Sequence, residues 1–115
     1  MNNLIARTKA FALDVIKLAR ALPKNTTADV LGKQLLRSGT SVGANYRAAC
    51  RARSRADFIS KLGIVEEEAD ETIYWLELLE DTHLIQNPNI AGLKKEADEI
   101  LSITVAPIKT ARRNR

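Results

Sequence analysis

Cysteine and aromatic side chains are both scarce in this sequence. Of 115 residues, one is cysteine, Cys50, and only 4% are phenylalanine, tryptophan or tyrosine. A single cysteine excludes a disulfide within the chain, and we expect its thiol to be a small buried group. With so few aromatics, the core must be built from leucine, isoleucine, valine and alanine, which suits packed helices better than sheets. The composition therefore favours an all-α fold.

Long hydrophobic runs are absent as well. No apolar stretch approaches the roughly 20 residues that a membrane-spanning helix needs, and the N-terminus lacks the basic and then apolar order of a signal peptide. Hydrophobic residues make up 45% and charged residues 28% of the chain, which is the balance of a globular protein. We therefore expect residues 1–115 to form a single domain that resides in the cytoplasm.

Apolar residues recur at helical spacing in four successive segments. The first inward face consists of Leu4, Phe11, Val15, Leu18 and Leu22. The other three faces are Leu31, Leu35, Ser38, Val42, Asn45, Ala49 and Ala52; Phe58, Leu62, Val65, Ala69, Thr72, Leu76 and Leu79; and Ile90, Leu93, Ala97, Ile100, Thr104 and Ile108. Four stripes with short connections predict an antiparallel up-down four-helix bundle, which buries every stripe at once.

Local signals predict the ends of these helices and one close contact between them. Thr26 or Thr27 can cap the second helix, and Ser54 can cap the third. Pro107 is expected to kink or fray the end of the fourth helix. The second helix carries small residues near its middle, which allow another helix to approach closely. These small residues are Gly39, Gly43 and Ala44.

The antiparallel register predicts polar contacts between the second and third helices. Arg37 lies level with Glu71 just outside the apolar seam, where a charge-assisted pair would fix the register of the two helices. Ser38 lies level with Ala69 on the inward face. Because buried polar groups need partners, we expect Ser38 and Asn45 to form hydrogen bonds across helices.

Positive charge is concentrated where the second helix ends and the third begins. The formal net charge is +4, and the cations that we single out as a nucleic-acid site are Arg47, Arg51, Arg53, Arg55 and Lys61. The last residues are basic too, with Lys109, Arg112, Arg113 and Arg115. Arginine forks match phosphate oxygens, and clustered positive charge attracts polyanions, so the pattern indicates an RNA or DNA contact. The alternative is a solvated basic helix end that complements the helix dipole.

One acidic motif raises the alternative of an enzyme. Residues 67–71, with the sequence EEADE, have the Glu-Glu-x-x-Glu form with which all-α nucleotide pyrophosphohydrolases hold magnesium. Those enzymes carry a later Glu-x-x-Asp, whereas this chain offers Glu96 and Asp98, whose spacing does not share a helix face. His83 is the only histidine, and no serine, cysteine or lysine stands in a motif for an activated nucleophile. We therefore expect no catalytic residue, no metal site and no cofactor.

Three segments of the chain closely resemble a known bacterial family. They are residues 34–45, QLLRSGTSVGAN; residues 57–59, DFI; and residues 68–76, EADETIYWL. The family is that of four-helix-bundle proteins associated with intervening sequences in 23S ribosomal RNA genes. The resemblance implies an up-down bundle that assembles into a ring-shaped homopentamer. A similar accessory protein of diversity-generating retroelements binds a reverse transcriptase, so nucleic acid or a nucleic-acid enzyme is the implied partner.

The resemblance also assigns roles to individual residues. It implies a structural polar cluster of Arg37, Ser38, Ser41, Asn45, Glu68 and Glu71. In a pentamer, apolar residues of the third helix outside the seam would form subunit contacts, namely Ile59, Ile73, Tyr74 and Trp75. For the two isoleucines the alternative is a wider core within the chain. Residues 46–49, YRAA, stand where many similar proteins have an apolar pair followed by Glu and Gly, and this departure favours polyanion binding.

These observations predict a non-enzymatic, homo-oligomeric accessory or scaffold protein that contacts RNA or a nucleoprotein through its basic surface. One alternative is a protein-interaction module whose basic surface binds no nucleic acid. A further alternative is the magnesium-dependent nucleotide pyrophosphohydrolase.

Overall fold

The computed structural model describes residues 3–113, which form four helices joined by short connections. The helices are α1 (Asn3–Arg20), α2 (Thr26–Cys50), α3 (Arg55–Asp81) and α4 (Asn89–Arg113). Each helix contacts the next one along the chain, α1 also contacts α4, and the four share one hydrophobic core. The predicted all-α four-helix bundle is confirmed, with no strand in residues 3–113. None of these helices is both long and apolar enough to cross a bilayer over the residues described.

Side-chain caps mark the start of α2 and α3. Ser54 caps α3 as predicted, because its Oγ accepts a hydrogen bond of 3.1 Å from the N–H of Asp57. The cap of α2 is Asn25, whose Oδ1 accepts from the N–H of Ala28 at 2.8 Å. The expected threonine cap was wrong, since Asn25 has the extended backbone of a cap and both threonines already lie within the helix.

The inward faces of α1, α3 and α4 are largely those that the periodicity predicts. The buried residues of α4 are the predicted ones: Ile90, Leu93, Ala97, Ile100, Thr104 and Ile108. In α3 the predicted residues are buried apart from Phe58, which is half-buried against the core. In α1, Leu22 follows the helix and is half-buried, while Thr8 is buried in addition to the predicted residues. Most of the core was therefore visible in the spacing of apolar residues.

The face of α2 differs from the prediction over its last two turns. Tyr46 is buried, with 8% of its surface exposed, whereas Asn45 and Ala52 are only half-buried. From Val42 the face continues with a step of four to Tyr46 and then of three to Ala49, the reverse of the predicted order. Both orders keep one helical face, and burying a large ring is more favourable than burying an amide.

Glycines bring α2 close to α1. A Cβ atom at Gly39 would lie 2.8 Å from Cγ1 of Val15, and one at Gly43 would lie 3.1 Å from Oγ1 of Thr8. Any larger residue at these positions would need α1 to move or its side chains to rearrange. The predicted close approach at the middle of α2 is therefore confirmed, with α1 as the neighbour.

The proline in α4 does not end its helix, and the expectation for Cys50 was wrong. α4 continues through Pro107 to Arg113. Ile108, directly after the proline, is 4% exposed, and its burial favours keeping the helix intact despite one missing N–H donor. Cys50 is exposed, because the last residue of α2 lies outside the inward face that Ala49 ends.

Candidate nucleic-acid interface

The predicted basic residues lie around the turn between α2 and α3. Arg47 and Arg51 are one helical turn apart at the end of α2, so their side chains emerge on the same side. Arg53 lies in the turn itself, and Lys61 lies in the second turn of α3. The three arginines are exposed and the lysine is half-buried. Two helices and their connection thus contribute cations to one region of the surface.

These four cations line one open groove between α2 and α3, with a volume of about 670 Å³. Its full lining, called the basic groove from here on, consists of Ala44, Arg47, Ala48, Arg51, Arg53, Asp57 and Lys61. The guanidinium groups offer planar forks of N–H donors that match phosphate oxygens. The two alanines, one turn apart on α2, add apolar surface between the charges. The groove therefore combines groups that bind phosphate with a small apolar recess.

Asp57 is the only acidic residue in the lining of the basic groove. Its Oδ1 accepts a hydrogen bond of 3.2 Å from Nζ of Lys61, one turn further along α3. A carboxylate in the first turn of a helix is also stabilised by the helix dipole. Asp57 was not among the residues predicted for the nucleic-acid site. Its spacing of four residues from Lys61 is the signal that could have placed it there.

Arg55 lies apart from the other four predicted cations. It lines a different groove, between α3 and α4, with a volume of about 570 Å³. The lining of this α3–α4 groove is Arg55, Ala56, Ile59, Gly63, Ile108, Ala111 and Arg112. Only Ser54 separates Arg55 from Arg53, but Ser54 is the extended N-cap and α3 begins at Arg55, so the two side chains leave the backbone in different directions. The cations that were grouped by sequence thus lie on both flanks of α3. Of the basic tail, Arg112 joins Arg55, and Arg115 lies outside the described residues.

The predicted polar cluster joins α2 to α3 through Arg37. Its Nη1 lies 3.0 Å from Oε2 of Glu68, and its Nη2 is paired with Oε2 of Glu71. Beside this ion pair, the buried Thr72 donates a hydrogen bond of 2.9 Å to Oγ of the buried Ser38. Ser38 was expected to lie level with Ala69. Its observed partner, Thr72, is three residues, or nearly one turn, further along α3. The contacts fix how far α2 and α3 are shifted along each other.

Ser41 and Asn45 do not contribute to that contact between helices. Oγ of Ser41 donates to the carbonyl of Arg37 at 2.7 Å, and Nδ2 of Asn45 donates to the carbonyl of Ser41 at 2.9 Å. Both bonds lie within α2. The expectation that Asn45 bonds across helices was wrong, because the half-buried amide reaches its own backbone one turn earlier.

The residues proposed for subunit contacts differ in exposure. Ile59, Ile73 and Trp75 are partly buried and pack against the core of their own chain. Tyr74 is 52% exposed, and its ring contacts that of Trp75 edge-on, with centroids 5.1 Å apart. Nε1 of Trp75 donates to Oε2 of Glu71 at 3.0 Å. Of these four residues, Tyr74 thus has the largest exposed fraction and offers the most surface to a partner subunit.

The acidic motif of residues 67–71 is partly engaged in these contacts. Glu68 and Glu71 bind Arg37, and Glu71 also accepts from Trp75, while Glu67 and Asp70 are exposed. Within residues 3–113 no three histidine, cysteine or acidic side chains are grouped so as to hold a metal ion. In the structure, Glu68 and Glu71 form ion pairs with Arg37 that join α3 to α2.

Comparisons with known proteins identify similar sequences and a similar fold. The model of a family described as 23S rRNA-intervening sequence protein matches residues 2–106. A crystal structure from Bacteroides thetaiotaomicron, described as a protein of unknown function from the S23 ribosomal protein family, is similar at 42% identity with a TM-score of 0.84. The match covers 91% of this chain and 97% of that chain. A search of curated proteins gives no match.

Proposed function

This chain belongs to the 23S rRNA-intervening sequence protein family, as its sequence predicts, and we propose that it is a non-enzymatic accessory protein that binds RNA in the cytoplasm. The proposal assigns the contact to the basic groove. RNA is the polyanion that the family description points to, and a groove with several arginines offers it charge-assisted hydrogen bonds.

The observation that carries the proposal is the convergence of Arg47, Arg51, Arg53 and Lys61 on one groove. If the basic residues only complemented the dipole of α2, they would not have to come from α2, the turn and α3 and surround one groove. Asp57 is paired with Lys61, and no ion pair within residues 3–113 engages the three arginines. Their positive charge is therefore available to phosphate groups.

We extend the proposal to the topology and assembly of the bundle. Contacts of Thr8 with Gly43 and of Val15 with Gly39 run in opposite chain directions, which supports an up-down arrangement of neighbouring helices. For self-association, support comes from apolar surface on α3, where Tyr74 is 52% exposed. The homopentameric ring rests on the resemblance of the sequence to its family. A ring would repeat the basic groove around its axis, and several weak phosphate contacts would then add up through avidity.

A second candidate function is a protein-interaction module. The α3–α4 groove favours it, because Ala56, Ile59 and Ala111 provide apolar surface that Arg55 and Arg112 flank. Apolar grooves with charged rims receive segments of partner proteins, and a nucleic-acid enzyme such as a reverse transcriptase is the partner that we consider. The hydrolase is the third candidate, and the engagement of Glu68 and Glu71 by Arg37 argues for a structural role of that motif.

A gel shift with structured RNA at several salt concentrations tests the RNA-binding proposal. The test variant carries Arg47→Gln, Arg51→Gln and Arg53→Gln, which remove three exposed cations and keep residues that favour helices. We expect weaker binding, and a slope of log affinity against log salt that is smaller by about 2 to 3. Each phosphate contact releases counterions on binding. A variant that makes fewer contacts releases fewer counterions, so the slope is smaller.

A matched control removes the same charge elsewhere. Arg20, Lys24 and Lys33 are exposed and line a smaller groove of about 280 Å³ at the turn between α1 and α2. Their replacement by glutamine should leave the salt slope close to that of the unchanged protein. Equal losses in both triple variants would show that net charge rather than the basic groove is responsible. No binding of any RNA at low salt would reject the proposal and favour the protein-interaction module.

A further inference from the structure

The basic groove contains more than phosphate binding requires. Ala44 and Ala48 give it an apolar lining, and Asp57 places a carboxylate among its cations. Building on the proposed function, we propose that the groove holds one unpaired RNA nucleotide. Its phosphate binds the arginines, its base lies against Ala48, and an amino group of the base donates a hydrogen bond to Asp57.

The shape of the groove supports an unpaired nucleotide rather than a duplex. A volume of about 670 Å³ lies within the range of about 300 to 1,000 Å³ that is typical of small-molecule sites. In a duplex the bases are stacked inside, and the protein meets mainly phosphates and sugars. Only an unpaired base can enter a recess and contact the apolar surface of Ala44 and Ala48. Arginine side chains such as Arg47 and Arg51 also stack on the faces of unpaired bases.

Asp57 supports a base that carries an amino group. A carboxylate repels phosphate, so apart from its ion pair with Lys61 and its place in the first turn of α3, Asp57 adds nothing to binding of the RNA backbone. Carboxylates do accept hydrogen bonds from amino groups, as in recognition of cytosine by aspartate or glutamate. Lys61 binds Oδ1 of Asp57 at 3.2 Å, and a carboxylate has about four acceptor sites, so capacity for a further donor is present. Uracil has no amino group to offer.

The test compares binding of oligocytidylate, oligouridylate and an RNA duplex by fluorescence anisotropy at one salt concentration. Ala48→Leu fills the recess without changing any charge, and it should weaken oligocytidylate binding roughly tenfold while duplex binding stays unchanged. Ala19→Leu is the control, because Ala19 is also half-buried and lines the groove at the α1–α2 turn. If Ala48→Leu fails to fold, as judged by circular dichroism, Ala44→Leu at the exposed alanine of the same lining replaces it.

Asp57→Asn provides the second arm of the test. An amide both donates and accepts, so we expect the preference for oligocytidylate over oligouridylate to disappear, with oligouridylate gaining most. If charge alone matters, this variant binds both oligomers more tightly by the same factor.

Two results overturn the inference and leave RNA binding in place: unchanged oligocytidylate binding by Ala48→Leu, and equal gains for both oligomers in Asp57→Asn. Absence of binding to every RNA by the unchanged protein would instead reject the proposed function itself.

Discussion

Gly39 lies so close to α1 that a single added methyl group should destabilise the protein. A Cβ at this position would lie 2.8 Å from Cγ1, 2.9 Å from Cγ2 and 3.2 Å from Cβ of Val15. Val15 is fully buried, and a valine side chain in a helix has one strongly preferred rotamer. The clash in Gly39→Ala cannot be relieved by rotating a flexible side chain, so the two helices must move apart.

Two opposing contributions determine the size of the effect. Alanine is favoured over glycine in a helix interior by about 1 kcal/mol. Overpacking a close contact costs about 1 to 3 kcal/mol. Gly63→Ala serves as the reference because a Cβ at Gly63 of α3 has nothing within 4 Å and gains only the helix preference. The free energy of unfolding of Gly39→Ala should therefore lie about 1 to 3 kcal/mol below that of Gly63→Ala.

Urea denaturation followed by far-UV circular dichroism measures this difference, with both variants at the same protein concentration in case the chain assembles. A gap of this size is a substantial part of the total stability of a small domain, which is about 5 to 15 kcal/mol. If Gly39→Ala proved as stable as Gly63→Ala, the close packing of α1 on α2 would be refuted.

The remaining predictions concern pH and assembly. The hydrogen bonds from Arg7, at 2.6 Å and 3.1 Å, lower the pKa of Glu96 below its usual 4.5. The carboxylate of Glu96 therefore binds a proton less readily in the folded state than in the unfolded state. The stability that the Arg7–Glu96 pair contributes is present above the unfolded-state pKa of Glu96, and it is lost as the pH falls through the folded-state pKa. The stability difference between the unchanged protein and Glu96→Gln should shrink over that range in urea denaturation, and a difference independent of pH would contradict the pairing. Tyr74→Lys should lower the mass measured by sedimentation, and it should lower monomer stability by no more than about 1.5 kcal/mol, through loss of the edge-on ring contact with Trp75. An unchanged oligomeric mass would remove Tyr74 from the interface.

The spacing of apolar residues predicts the core wherever one choice of step is clearly better. In α4 each position with helical spacing carries an apolar residue or a threonine, and all six predicted residues are buried. In α2 the spacing after Val42 allows either Asn45 or Tyr46 to continue the face. The choice depends on which side chain the neighbouring helices can accommodate. That information lies in the packing of four helices and not in the spacing along one of them.

The basic site shows the same limit at the level of function. Clustering along the chain correctly indicated that Arg47, Arg51 and Arg53 lie together, because Arg47 is in the last turn of α2, Arg51 caps that helix and Arg53 follows in the turn. It failed for Arg55, because α3 begins there, after an extended cap, and its side chain lines the groove shared with α4. A variant that combined Arg55 with Arg51 and Arg53 would therefore weaken two surfaces at once, and a loss of RNA binding in it would not identify the basic groove. Substituting Arg47 in place of Arg55 confines the change to one groove, which is what lets the RNA experiment distinguish a shared site from a generally basic helix end.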